Sequence, residues 1–343
     1  MLPFRRSFKA QTGFWGVRLF VLFWLLGVFS ESFVDARDIF VNDDATEGGD
    51  GASWGSAHRY LRTALDEAYS ILDQDGFQNI TIKVAEGVYV PTDGATVEEL
   101  AEPRTISFRL RGLSHSLDRL VVQGGWRGDE TSDEPQGDVN ATLLSGEIDS
   151  NETRWSMHVL YATRDVANTI TSNGQLRGGT LLQGFVVTKG NANGFVDHHR
   201  KGGGMYNMGS PRIENCVFKD NRALFQGAGM ANAAFVDNVI SINPVTGAET
   251  KTLTVFSHKA SPFLLNCRFE GNRVELADVH NLDELFGRNV MSDENLFLGG
   301  GGFCNLGGIP TLDGCVFEGN TVIGGAPPSK APEDDDPPGE ELH

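Results

Sequence analysis

Positive charge, cysteine, aromatic residues and long apolar runs are all scarce in this chain, and each shortage closes off a class of function. The 28 Lys and Arg stand against 46 Asp and Glu, a formal net charge of −18. So acidic a protein repels phosphate backbones and anionic lipid, and neither nucleic acid nor an anionic membrane is expected as a partner. The four cysteines include no Cys-x-x-Cys pair, and the nearest two, Cys304 and Cys315, lie eleven residues apart, which speaks against a thiolate metal site. Aromatic residues make up only 9% of the chain, a content that suits slim structural units. The apolar run Leu19–Phe29 has eleven residues, where a membrane-spanning helix needs about 20. Helical periodicity is confined to one stretch. Between Ser56 and Asp73, Leu61, Ala64, Leu65, Ala68, Ile71 and Leu72 recur at spacings of three and four.

Glycine is plentiful, with 42 residues, and much of it sits in a repeat. Gly202–Asn221 reads GGGMYNMGSPRIENCVFKDN, and Gly300–Asn320 reads GGGFCNLGGIPTLDGCVFEGN. A copy between them is split, with GAGMAN from Gly227 and SPFLLNCRFEGN from Ser261. In all three, Pro precedes Cys by five residues, Cys precedes Phe by two and Phe precedes Asn by three. Met205 and Met230 are 25 residues apart, a period suited to one coil of a solenoid built from short strands. Alternation within the copies turns Ile213, Cys216 and Phe218 inward and Arg212, Glu214 and Val217 outward. Stacked coils then form inner columns whose members lie about 4.8 Å apart, one strand spacing. These are Ile213–Leu264–Leu312, Cys216–Cys267–Cys315, Phe218–Phe269–Phe317 and Met205–Met230–Phe303. Side chains in one register point in parallel, which disfavours a disulfide within the Cys column. Two more columns are Asn221–Asn272–Asn320 and Asn207–Asn232–Asn305. Asn tolerates left-handed bends, and stacked amides bond from coil to coil, so these residues read as scaffold.

The paired GG-G-Met/Phe and Phe-x-x-Asn motifs (FKDN, FEGN, FEGN) resemble the repeats of polymorphic outer-membrane proteins, within the wider pectin-lyase-like class. That resemblance implies an all-β, right-handed parallel β-helix exposed at a cell surface. The chain departs from the family pattern at the third motif position, and it shows no C-terminal membrane barrel, so self-export is not implied. The blocks VAEGVYVPTDG, VVQGGWRGDE and ATLLSGEID extend the resemblance over most of the chain. Thr180–Ala192 reads as a degenerate coil.

The expected organisation follows. Residues 1–36 carry Arg5, Arg6, Lys9 and Arg18, then the apolar run, then Val34-Asp35-Ala36, which is the pattern of a secretory signal peptide. Removing that segment takes away a charge of +2, leaving about −20 and no transmembrane span in a secreted or cell-surface chain. Residues 37–325 are the β-helix, with a capping helix over about 56–73 and regular repeats over 202–321. Three insertions leave the cylinder, at Phe195–Lys201, Ala233–Lys259 and Arg273–Leu298, and such loops are the usual seat of recognition. Residues 326–343 are Pro-rich and acidic and are expected to be disordered.

Candidate chemistry is sparse. Asp43, Asp44 and Asp50 share an acidic, Gly-rich loop that could gather around Ca²⁺, although EF-hand spacing is missing; no other cofactor is expected. His198-His199-Arg200-Lys201 could meet an anion or a metal but lacks a recognisable third ligand. Among outward positions, Glu214 and Asp313 lie two coils apart, roughly 9.6 Å, near the upper limit for an inverting carboxylate pair. Arg268 is a candidate lyase base. Leu265 separates the carboxylates, and Val217 and Val316 flank the arginine. The leading expectation is therefore a non-enzymatic scaffold that binds an extracellular polysaccharide or a cell-surface protein through outer faces and loops. The alternative is a polysaccharide lyase or glycoside hydrolase.

Overall fold

The computed structural model describes residues 36–74, 78–131, 134–138, 141–170, 176–233, 238–242, 249–253, 260–275 and 299–324. The chain divides into two units, 1–35 and 36–343, and every described residue belongs to the second. The run expected to be a signal peptide, the tail 326–343 and most of the two longer expected insertions lie outside the described residues.

Short strands stack in parallel into four sheets that the chain visits in turn, coil after coil. The first sheet runs through Ala36–Val41, Asn79–Ala85, Arg119–Trp126, Leu176–Gln183, Arg212–Glu214, Phe263–Leu265 and Thr311–Asp313. The second holds Gly87–Tyr89, Thr142–Ser145, Val186–Thr188, Val217–Lys219, Arg268–Glu270 and Val316–Glu318. The third holds Asn191–Ala192, Arg222–Ala223, Arg273–Glu275 and Thr321–Ile323. The fourth holds Phe108–Leu110, Leu160–Ala162, Met205–Asn207, Met230–Asn232 and Phe303–Asn305. This is a parallel β-solenoid. Arg273–Glu275, expected to open an insertion, instead pairs with Arg222–Ala223 as part of the coil. Within the insertion expected at 233–259, Asn238–Ile242 and Glu249–Leu253 form an antiparallel hairpin.

Inward columns explain why the strands hold one register. Ile39, Ile82, Val122, Leu182, Ile213, Leu264 and Leu312 are direct partners across seven strands. All but Leu312 are buried. A one-residue slip would turn every member to solvent, so the apolar column fixes the pairing. In the second sheet the Phe218 and Phe269 rings stack with centroids 4.9 Å apart and 7° between planes, and Phe269 and Phe317 stack at 4.8 Å and 4°. Cys216 and Cys267 are buried, Cys315 is half-buried, and all are free thiols. Burial pushes the Cys216 thiol up to about 12, so it serves as a small apolar filler.

The asparagine columns bond as ladders. Asn207 Nδ2 donates to Asn232 Oδ1 (2.7 Å), and Asn232 Nδ2 to Asn305 Oδ1 (2.8 Å). Asn221 Nδ2 donates to Asn272 Oδ1 (3.0 Å), and Asn272 Nδ2 to Asn320 Oδ1 (2.9 Å). The left-handed bends fall elsewhere than expected: none of these six has a positive φ. Asp220, Gly271 and Gly319, one residue before the second ladder, take the bend, as do Asn215, Asn266 and Gly314 at the preceding corner. The ladder amides satisfy buried backbone, while exposed corner residues absorb the strain.

The repeated glycines have two uses. Gly202, Gly227 and Gly300 open their coils at φ +70°, +58° and +61°. A Cβ on Gly203 would lie 2.0 Å from the Arg222 carbonyl oxygen, so the two backbone segments could not approach so closely there with any larger residue.

Helix α1 spans Leu61–Leu72, shorter than the expected 56–73. His58 N donates to Phe40 O (2.8 Å) and Asn42 N to His58 O (2.9 Å), which holds residues before the helix extended against the first strand. Leu61, Ala64, Leu65, Ala68, Tyr69 and Leu72 bury one face in the same cluster as Ile39, Ile80 and Ile82. Among the described residues no helix is long and apolar enough to cross a membrane. At the other extreme, Leu312 is 38% exposed and Phe317 49%.

Candidate functional site

Three outward charge pairs of the coils lie along their own strands. Arg212 bonds Glu214, Arg268 Nε lies 2.6 Å from Glu270 Oε1, and Arg273 Nη2 lies 2.6 Å from Glu275 Oε1. Each pair flanks an inward residue, Ile213, Phe269 or Val274, because residues i and i+2 share a face. Arg212 also lays its guanidinium 4.6 Å from the Phe263 ring centre. It is buried there, although its strand position faces outward. Glu214 is thus held by its own arginine. Asp313 is exposed, and the register Glu214, Leu265, Asp313 keeps an apolar residue between the two carboxylates. Arg268 stands on a different sheet, shared between Glu270 and, at 3.6 Å, Glu318. The structure does not bring these three candidates together.

The acidic loop also stays apart. Asp43 Oδ2 accepts from Val88 N (2.8 Å), and Asp43 and Asp44 line a cleft of about 400 Å³ with Arg59, Tyr60, Tyr89 and Asp93. Asp50 does not line it. Its Oδ1 accepts from Ser56 Oγ (2.6 Å) and Ala52 N (3.1 Å), bonds that hold its carboxyl below the usual range. As the side chains stand, no group of three or more His, Cys, Asp or Glu among the described residues is placed to hold a metal ion.

The basic loop gains partners that its sequence did not suggest. Asp197–Arg200 is a 3₁₀ turn. Its His198 and His199 rings lie within 6.3 Å of His158, which is buried beside Tyr206 and Tyr161. Arg200 lies 5.3 Å from the Phe225 ring centre. Outward alternation was the available signal, since Tyr161 and Tyr206 follow the inward Leu160 and Met205 and are register partners.

A cleft of about 610 Å³ lies between α1 and the segment 98–111. Leu65, Ile106 and Phe108 give it an apolar base. Arg62 is paired with Glu99, and Arg111 with Asp73 at 2.5 Å, its guanidinium 4.2 Å from the Tyr69 ring centre. Tyr69 Oη accepts from Arg111 N (2.9 Å), and burial pushes its hydroxyl up to about 12. Asp66, Glu98 and Glu102 line the same cleft and make no side-chain hydrogen bond or ion pair with the described residues. Nothing in the linear order links Asp66 to Glu102; only folding brings α1 against that segment.

Desolvation by the cleft walls raises the Asp66 carboxyl above its ordinary value, opposed by Arg62. A raised folded value favours the protonated form. That contribution is full below the unfolded value and is lost as pH rises through the folded one. Asp66→Asn should therefore stabilise the protein at neutral pH, and the gain should shrink as pH falls into the carboxylate range. Denaturant unfolding of both proteins at several pH values measures it, and a gain independent of pH would contradict the assignment.

No known protein family, curated protein or solved structure matches this chain.

Proposed function

We propose that the chain is a right-handed parallel β-helix of the pectin-lyase-like kind, exported from the cytoplasm, closed at its N-terminal end by α1, and acting as a binding scaffold without catalytic activity. The repeats support kinship with polymorphic outer-membrane proteins, and the run from Arg5 to Ala36 supports export. One contrast carries the functional reading. Glu214 and Arg268 are neutralised by neighbours on their own strands, whereas Asp66, Glu98 and Glu102 line a cleft without pairing. An apolar base beneath unpaired carboxylates suits a side chain with an apolar stem and a cationic head, as Lys or Arg of a cell-surface protein would present. Acidic polysaccharides are repelled by the same charges.

A fluorescent Arg-rich peptide, an amino-sugar oligomer, pectate and alginate serve as probes, with and without Ca²⁺. The expected result is saturable binding of the cationic peptide and no cleavage of either polyanion. Asp66→Asn combined with Glu102→Gln should weaken binding about tenfold, the value of a lost charged contact, while Glu318→Gln on the outer coil should not. Release of unsaturated uronide or new reducing ends would replace this reading with the lyase or hydrolase one. Equal weakening by Glu318→Gln would show a non-specific charge effect.

A further inference from the structure

His158 is a buried imidazole, 4% exposed, whose Nδ1 lies 2.9 Å from the Gly202 carbonyl oxygen. A carbonyl can only accept, so Nδ1 carries the proton and Nε2 keeps its lone pair. That Nε2 is buried with no hydrogen-bond partner. An unmet acceptor in the protein interior costs free energy unless something occupies it. One ring nitrogen bonded to a backbone carbonyl and the other left bare is the arrangement of a metal-ligating histidine and its orienting partner.

Two further imidazoles stand beside it on the turn Asp197–Arg200. Ring centres are 6.3 Å apart for His158 and His198, 5.7 Å for His158 and His199, and 4.1 Å for His198 and His199. A tetrahedral ion bound at about 2.1 Å from each nitrogen places its ring centres about 5.3 Å apart. The three separations bracket that value. Both turn residues are only half-buried, so rotation about their side-chain torsions can adjust each ring by the ångström or so required. Tyr161 and Tyr206 wall the cluster, 5.9 and 5.4 Å from the His158 ring.

We propose that His158, His198 and His199 form a site for one divalent transition-metal ion of the zinc class, completed by rotation of the two turn histidines. An all-imidazole donor set suits Zn²⁺, Cu²⁺ or Ni²⁺ and not the hard cations Ca²⁺ and Mg²⁺, which take oxygen. The site is independent of the Asp66 cleft.

The test is titration of the metal-free protein with Co²⁺, followed by its visible absorption, and with Zn²⁺ against a chromophoric chelator. One equivalent should bind per chain, with the absorption of nitrogen-ligated four- or five-coordinate Co²⁺, and Zn²⁺ should raise the Tm. His198→Ala and His199→Ala, on the half-buried turn, should each lower affinity at least about tenfold and abolish the Zn²⁺-dependent rise in Tm. Both variants avoid the buried His158, whose replacement risks the fold itself. Absence of stoichiometric binding overturns the proposal, as does undiminished binding in the two variants, which would place the metal elsewhere.

Discussion

Phe269→Ala is expected to cost about 3–5 kcal/mol of stability, as large-to-small changes at packed aromatic positions do. Phe269 is fully buried between two parallel rings, at 4.9 Å from Phe218 and 4.8 Å from Phe317, with Phe303 edge-on at 6.0 Å. Removing it opens a hole that neither neighbour can fill, because each is held by its own strand. Phe317 has the same chemistry in the same column but is 49% exposed. Phe317→Ala should cost only about 1–2 kcal/mol, since roughly half as much apolar surface leaves water there. The adjacent Arg268, outward and exposed, should lose well under about 1 kcal/mol on truncation, because its pairing with Glu270 is screened by solvent. Denaturant unfolding of the three variants reads the series. Comparable losses for Phe269 and Arg268 would mean that the strand faces are misassigned, and with them every outward residue considered as a site.

Much of this architecture was legible in the chain, because a stacked coil writes its register into sequence. Identical spacings of Pro, Cys, Phe and Asn place like residues in one column, and Arg212, Phe263 and Thr311 are indeed direct partners. The third sheet is less legible because its first two strands, Asn191–Ala192 and Arg222–Ala223, hold only two residues each, and Arg273–Glu275 stands at the head of the expected insertion 273–298. The helix begins at Leu61, the first residue of its apolar period and five residues after the expected 56, because the backbone of His58 pairs with Phe40 and Asn42 and keeps the residues before it out of the helix. The sites were less legible for a related reason. Asp66 and Glu102, or His158 and His199, are brought together across coils by loops of unequal length, and no spacing in the chain encodes that meeting. Conversely, Glu214 and Asp313 had a suggestive separation, but Arg212, two residues from Glu214 on the same face, takes its charge.

Asn272→Ala should rival Phe269→Ala in cost, at about 3–5 kcal/mol, although it deletes no apolar surface. The amide makes four bonds in a fully buried corner. Its Oδ1 accepts from Asn221 N (3.1 Å) and Asn221 Nδ2 (3.0 Å), and its Nδ2 donates to Phe218 O (2.8 Å) and Asn320 Oδ1 (2.9 Å). Truncation strands a backbone N–H and a carbonyl away from water, each costing about 1–3 kcal/mol, and breaks the ladder between three coils. Asn272→Asp should do no better, because a carboxylate cannot donate to Phe218 O and would bring a charge into the corner. Asn266 separates this role from backbone strain. It sits exposed in the same coil at φ +52°, in a column where Gly184 and Gly314 also take positive φ. Asn266→Gly keeps the backbone conformation and strands no buried group, so its effect should stay within about 1 kcal/mol. If Asn266→Gly destabilised the protein as much as Asn272→Ala, the ladder amides would hold no special place in the solenoid, and Asn would matter here only for the bends that it permits.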